Sequence, residues 1–426
     1  MPSFPGYRLP PKHSRVAAEG RNGEAGARVL AGITVVEVGS WIAGPAAATV
    51  MSDFGATVIK VEPAGGDPYR QLFRSPGMPE SHINYPWLLD ARNKKSVVLD
   101  LRLPEGRELL LALAARADVF LTNYPPALLA RLRLTCEDLS AGNPRLIYAA
   151  LTGYGEAGAE GSKPGFDVNA WWARSGLMDI VRPAGGLPTI SVPGMGDHPS
   201  AMALFGAIML GLFQRERTGR GSRVSTSLMA NGAWANSVLI QAMLCRATFV
   251  PRPPREQTRN ALSNLYRCRD GRWFVLTVLR EEKEWAPFTR AIGRPDLTGD
   301  PRFATRAARH ANGPALVKIL DGVFAEKDWA EWRAVLEARD ITFGPMSHLE
   351  DLRNDPQMMA TETLAPLEDA GRPGLCTVMS PIHMAGQTKA PPSRAPELGE
   401  HTDEVLRALG HDDAAIHRLR ALGAIG

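Results

Sequence analysis

Short β-branched runs alternate with helical stretches through the first half of the chain. Residues 33–38 (I-T-V-V-E-V) predict a strand, residues 39–45 turn the chain, and residues 46–54 predict a helix with Pro45 near its start, where a missing N–H is harmless. Gly55 ends that helix and residues 56–61 predict a second strand, so the stretch forms one β-α-β unit. Strands over 95–101, 119–122 and 146–151 follow, with helices over 104–115 and 126–133 between them. Such alternation predicts an α/β domain with a mostly parallel, Rossmann-like sheet, in which ligands gather at the carboxyl ends of the strands.

A different pattern spans 192–217. Residues 201–213 are apolar on all sides, which marks a buried core helix. The run is too short and too rich in glycine to cross a membrane. One acid, Asp197, precedes it on a glycine turn made by Gly194 and Gly196. On its own, an acid in that place reads as an N-cap, favoured by the free amides and dipole of the helix start.

Beyond 222–227, a further strand, the pattern changes. A helix is expected over 228–244 and a Pro- and Arg-rich break over 249–260. A hairpin follows over 265–279 with Asp270-Gly271 as its turn, then helices near 282–292, 315–324 and 329–339. The predicted organisation is an N-terminal tail (1–28), a large α/β domain (29–227), a linker helix (228–249), a smaller α+β domain (250–340) and a return segment (341–426) packing on the large domain.

The chain has 426 residues, of which 44% are hydrophobic, a net charge of +4 and a pI of about 8.9. This mild excess is no signature of nucleic-acid binding but suits a small polyanionic ligand. Cys136, Cys245, Cys268 and Cys376 are far apart, with no C-x-x-C pair, so neither a zinc site nor a disulfide framework is expected. A reducing, cytoplasmic setting fits best, with no membrane span and no secretion signal in the proline- and glycine-rich tail.

Glycines after a first strand, with Glu62 about twenty residues on, invite a dinucleotide reading. Trp41 stands where the second glycine of G-x-G-x-x-G should let a pyrophosphate approach, which disfavours an oxidoreductase. Three polar clusters near strands, Asn93-Lys94-Lys95, Asn123-Tyr124 and Thr152-Gly153-Tyr154-Gly155, suggest a shared phosphate-bearing ligand.

Several of these stretches together resemble one family. L-A-G-I-T-V-V-E-V-G-S-W-I-A-G-P (30–45), D-F-G-A-T-V-I-K-V-E-P (53–63) and N-K-K-S-V-V-L-D-L (93–101) are similar to the class III (CaiB/BaiF-type) CoA-transferases. P-R-L-I-Y-A-A-L-T-G-Y-G (144–155), T-G-R-G-S-R-V-S-T-S-L (218–228), D-P-Q (355–357) and L-G-E-H-T-D-E-V-L-R-A-L-G (398–410) continue the likeness in the same order. The resemblance implies that Asp197, in the pair Gly196-Asp197, is a catalytic nucleophile. It would attack the thioester of a donor acyl-CoA, pass through a mixed anhydride and an aspartyl-CoA thioester, and hand CoA to an acceptor carboxylic acid. Because one thioester replaces another, coenzyme A enters as substrate and no bound cofactor or metal is needed. An ionised carboxylate of ordinary pKa would suffice, and free amides at the helix start would hold the oxyanion.

The racemases of the same family are the sharpest alternative. Their partner base is a histidine in a Gly-His-Asp triplet, and here the triplet is Gly165-Phe166-Asp167. Phenylalanine moves no proton, so racemisation lacks its second base. A CoA-binding scaffold without turnover is argued against by the intact acid.

Position by position, the family's CoA contacts fall on Ala43, Leu99, Arg102, Asn123, Tyr124, Arg131 and Lys163, with Phe166 and Asp167 beside the nucleophile. Pro63, Ser200-Ala201 and the stretch 259–264 depart from the formyl-CoA enzymes, which argues against oxalate or formate as substrates. Trp41, Trp171 and Trp172 hint at a roomier acyl pocket, although tryptophans are more often plain core. The family further implies ring-shaped chains that interlock as an obligate homodimer, with each site between the large domain of one chain and the small domain of the other.

Overall fold

The computed structural model describes residues 28–367 and 374–426; the tail expected over 1–28 lies, except for Arg28, outside them. Among the described residues, six parallel strands form the main sheet: β1 (Thr34–Val38), β2 (Thr57–Glu62), β3 (Lys94–Val98), β4 (Val119–Thr122), β5 (Ile147–Thr152) and β6 (Ser222–Ser227). Their order is β3-β2-β1-β4-β5-β6, the doubly wound arrangement. β1 pairs with β2 on one side and β4 on the other, so the direction of winding reverses between β1 and β4. A crevice opens at such a reversal because the connections leave the sheet to opposite faces.

Both faces of the sheet are covered. One carries α1 (Ala43–Asp53), α2 (Tyr85–Asp90) and the long helix described below; the other carries α3 (Pro104–Arg116), α4 (Pro126–Leu132) and α5 (Cys136–Gly142). The central strands are accordingly buried along nearly their whole length, β4 and β5 as near-continuous apolar runs, while β1 and β2 carry buried Glu37, Lys60 and Glu62. Val405, Leu406, Ile416 and Ile425 join the core made by Val97, Leu109, Leu113 and Phe120, so the chain's end packs against its beginning.

α6 (Leu177–Ile180) precedes α7 (Asp197–Thr218), which packs on α1, β5 and β6 through Ala201, Leu204, Ile208 and Leu212. The helix expected over 228–244 is two: α8 (Leu228–Ala235) and α9 (Ser237–Leu244). Asn236 breaks it by turning its amide to the Ser175 carbonyl (2.9 Å). β7 (Ser263–Arg267) and β8 (Trp273–Thr277) form the expected hairpin, with Gly271 at φ +84° in the turn. The return stretch Phe343–Pro345 adds β9 to β8, which the sequence did not suggest. Around this sheet Phe274, Phe288, Leu316, Phe324 and Trp332 make a separate core.

Candidate active site

The crevice at the winding reversal holds a cavity of about 260 Å³. Its walls come from the turn after β1 (Ser40, Trp41, Ile42, Ala43), the turn after β4 (Asn123, Tyr124), the segment after β5 (Lys163, Phe166) and Asp197. Of the expected site residues, these walls bring together Ala43, Asn123, Tyr124, Lys163, Phe166 and Asp197. Gly196 and Asp167 lie directly behind Asp197. Leu99 is buried and its backbone bridges to Ile425, Arg102 is exposed and paired with Asp100 (2.6 Å), and Arg131 is exposed in the last turn of α4; none of the three reaches the cavity.

The turn after β1 is held in an unusual shape. Trp41 has φ +65°, a left-handed conformation that costs a bulky residue about 1 kcal/mol or more. Four side chains fix the turn. Asn123 clamps Ser40 from both sides, accepting its N–H (2.9 Å) and donating to its carbonyl (2.7 Å). Asp67 accepts the Trp41 N–H (3.1 Å), Lys60 donates to the Gly39 carbonyl (3.0 Å) and Lys94 to that of Pro45 (2.8 Å). Both lysines also meet buried Glu37, at 2.7 and 2.8 Å, and Lys60 meets Asp67 at 2.8 Å. Burial alone would push the Glu37 carboxyl up; Lys60 and Lys94 hold it below the ordinary range. Burial pulls Lys94 down, and the second ammonium at Lys60 adds to that.

This network corrects two expectations. The Asn93-Lys94-Lys95 cluster is not part of a shared ligand site: it lies at the start of β3 and none of it lines the cavity, with Lys94 spent in the interior and Lys95 paired with Glu404 (2.6 Å). Asn123 lines the cavity, but its amide is committed to Ser40.

Asp197 is the first residue of α7, so it is not the N-cap; Gly196 occupies that position and makes no side-chain cap. A Cβ at Gly196 would lie 2.6 Å from the Trp171 ring, so only glycine lets the turn settle on that indole. Trp171 and Trp172 are stacked 6.2 Å apart in the core and do not line the cavity, unlike Trp41. His198 spends its N–H on the Gly194 carbonyl and Ser200 on that of Gly196, and Pro199 has none, so the helix start offers fewer free amides than expected.

Asp197 is half-buried. Burial, and then the charge of Asp167, push its carboxyl up to about 7, a shift that the attack by an ionised carboxylate does not itself require. Asp167 is buried and accepts the Gly196 N–H (3.3 Å). Phe166 is half exposed and meets the Trp41 ring edge-on at 5.6 Å, making one apolar wall beside Asp197. At the mouth, Lys163 lies 5.0 Å from the Tyr154 ring and 3.0 Å from Glu160.

Three side chains that the sequence did not single out stand behind the acid. The His198 ring has Nδ1 3.1 Å from the Gly194 carbonyl and Nε2 3.1 Å from Asp90 Oδ1. Asp90 Oδ2 accepts from the Tyr69 hydroxyl (2.6 Å). Only the adjacency of His198 to Asp197 was there to be read; Tyr69 and Asp90 arrive from more than a hundred residues away. Among the described residues no group of three or more His, Cys, Asp or Glu is placed to hold a metal ion, and no helix is long and apolar enough to cross a membrane.

The sequence model of CoA-transferase family III matches residues 30–402. The chain is 33% identical over 398 residues to the (R)-2-hydroxy-4-methylpentanoate CoA-transferase of Clostridioides difficile, covering 92% of this chain and 98% of that protein. It is 31% identical to the cinnamoyl-CoA:phenyllactate CoA-transferase of Clostridium sporogenes, covering 93% and 97%. The crystal structure of a CAIB/BAIF family protein from Brucella suis superposes with a TM-score of 0.80 at 27% identity, covering 90% of this chain and 100% of that one.

Proposed function

Because the chain belongs to CoA-transferase family III, and is an enzyme of that class, we propose that it moves coenzyme A from an acyl-CoA to a carboxylic acid through Asp197. The observation that carries this reading is that Asp197 is the one acidic side chain, among the described residues, in the wall of the cavity at the sheet's winding reversal. Its oxygen attacks the thioester carbonyl of the donor and expels CoA thiolate, leaving a mixed anhydride. The thiolate attacks the aspartyl carbonyl and releases the donor acid, leaving aspartyl-CoA. The acceptor carboxylate attacks that thioester, expels the thiolate and forms a second anhydride. Attack of the thiolate on the acceptor's carbonyl gives the new acyl-CoA and restores Asp197. A desolvated carboxylate is a stronger nucleophile than a hydrated one, and the raised pKa reports that desolvation. The coenzyme is a substrate throughout, and no resident cofactor takes part.

Phe166 favours transfer over epimerisation, since it puts a ring without a transferable proton where a second base would stand. With Trp41 it gives an apolar wall suited to an acyl group with a branched or aromatic end. Two relatives are named for acids of that kind, 2-hydroxy-4-methylpentanoate and phenyllactate.

The working enzyme is proposed to be an interlocked homodimer of ring-shaped chains. α9 buries none of its residues in the single chain, and Trp234, Val238, Leu244, Leu210 and Phe213 are all more than half exposed. Such an apolar face suits a second copy. The free cysteines, two of them exposed, fit a cytoplasmic setting.

Incubation with a panel of acyl-CoAs and hydroxylamine, followed by peptide mass spectrometry, is expected to find the hydroxamate on Asp197. Asp197→Ala is expected to abolish turnover while CoA still binds. A label on another residue, or near wild-type activity in the variant, would assign the chemistry elsewhere.

A further inference from the structure

The mechanism above leaves His198, Asp90 and Tyr69 without a part. The His198 ring bridges two groups that only accept. Nδ1 faces the Gly194 carbonyl, which has no proton to give, and Nε2 faces Asp90 Oδ1. Asp90 is buried, and its other oxygen already accepts the Tyr69 hydroxyl proton. That phenol keeps its proton, because burial and the Asp90 charge both push its ionisation far above the ordinary range. Asp90 is therefore the acceptor on both of its oxygens. A neutral imidazole has a single N–H and would leave one of its two partners facing a lone pair. Only the doubly protonated ring satisfies both contacts.

We propose that Asp90 holds His198 as a permanent imidazolium, and that this fixed positive charge, not proton transfer, eases ionisation of the adjacent Asp197 for attack. The inference rests on Asp197 being the nucleophile.

The surroundings of Asp197 explain why such a charge is useful. Asp167 faces it from the helical turn Asp167–Ala173, Asp90 from the end of α2, and His198 from its own helix. Both neighbouring carboxylates disfavour ionisation of Asp197, as does burial; His198 acts in the opposite direction and outweighs Asp90, which stands behind it. Lys94 also bears on Asp90 and helps keep it ionised, after His198 and Tyr69. Burial pulls the imidazolium down, but the hydrogen bond and charge of Asp90 overcome this and raise it to about 9, so the cation persists through neutral pH. With both nitrogens occupied, the ring cannot serve as a proton shuttle. His198 is thus a positioning residue that acts through the charge state of Asp197.

The test is the pH profile of turnover in His198→Gln, which keeps the side chain's polarity and approximate reach but loses its charge. The acid limb is expected to move up by about one pH unit, an approximately tenfold loss near pH 6 that is largely recovered by about pH 9. CoA affinity, read by calorimetry, is expected to change by less than about twofold, because the ring does not line the cavity. Asp90→Asn releases the imidazolium but also removes a carboxylate that opposes ionisation of Asp197, so it is expected to move the limb the same way by less, and that direction is the reading if His198→Gln does not fold. A wild-type acid limb in the folded variant would overturn the proposal. So would a loss uniform across the pH range, which marks a packing role. Asp197→Asn is assayed alongside: if it is active, the nucleophile itself is misassigned, whatever the profile of His198→Gln.

Discussion

The Gly196 amide donates to Asp167 Oδ2 at 3.3 Å, so a second carboxylate pins the backbone that presents Asp197 to the cavity. The same contact brings a negative charge close to the proposed nucleophile. Asp167 therefore orders the turn and makes Asp197 harder to ionise. Asn at position 167 keeps an oxygen for the Gly196 N–H and drops the charge. Asp167→Asn is expected to move the acid limb of turnover down by roughly half to one pH unit, opposite in direction to His198→Gln. An upward shift in the pH–rate profile would show that the geometric contribution outweighs the charge.

The raised pKa of Asp197 has a consequence for stability. Below the ordinary carboxylate range both folded and unfolded chains hold this proton. Between that range and about 7 the folded chain alone holds it, and above about 7 the folded chain must ionise Asp197 in place. The contribution of this group to stability is therefore present at low pH and lost as pH rises through about 7. Asp197→Asn removes the penalty. It is expected to stabilise the protein near pH 8 by on the order of 2 kcal/mol after allowance for solvent screening, and to have much less effect near pH 4. Thermal melts at the two pH values measure this; an equal shift at both would detach the effect from ionisation.

Gly196 and Gly322 separate two reasons for glycine in a helix or at its edge. A Cβ at Gly196 would press into the Trp171 ring at 2.6 Å, whereas one at Gly322, in the helix Gly313–Phe324, meets nothing within 4 Å. Gly196→Ala is expected to destabilise by about 1–3 kcal/mol and to lose most activity, because the indole or the turn carrying Asp197 must move. Gly322→Ala is expected to stabilise by roughly 0.5–1 kcal/mol. Denaturant unfolding compares the two; a neutral Gly196→Ala would mean that Trp171 has room to retreat.

The sequence made some of this legible for definite reasons. The glycine turn, acid and apolar run marked Asp197 as the start of a helix, and only the family motifs around them singled it out as a candidate nucleophile. The strands could be found because a sheet covered on both faces forces runs rich in β-branched and apolar residues, which a single buried charge such as Glu37 or Lys60 does not hide. Their lateral order could not, since nothing in β1 says whether β2 or β4 lies on a given side. Lys94 was misread as a candidate phosphate ligand because a buried ammonium and an exposed one look alike until Glu37 appears beside it. The break at Asn236 was hidden because its cause, the Ser175 carbonyl, is distant in sequence. His198 drew no notice because its meaning depends on Asp90, which the fold supplies from α2.

The apolar face of α8 and α9 distinguishes two kinds of dimer. Trp234 and Val238 are both 79% exposed in the single chain, so an Asp there would be nearly neutral in a monomer. Pressed against a second copy, it would leave an unpaired charge in an apolar contact, at a cost of several kcal/mol. Sedimentation is expected to give about twice the 46.1 kDa chain mass, and Trp234→Asp is expected to reduce assembly or soluble yield. Chains that merely touch face to face separate on dilution, following mass action. Interlocked rings cannot part without unfolding. The mass is therefore expected to remain that of the dimer at nanomolar concentration and to fall only with loss of secondary structure. Reversible dissociation into folded 46.1 kDa chains would keep the apolar interface and eliminate the interlock; a Trp234→Asp protein that assembles and turns over as wild type does would eliminate the interface as well.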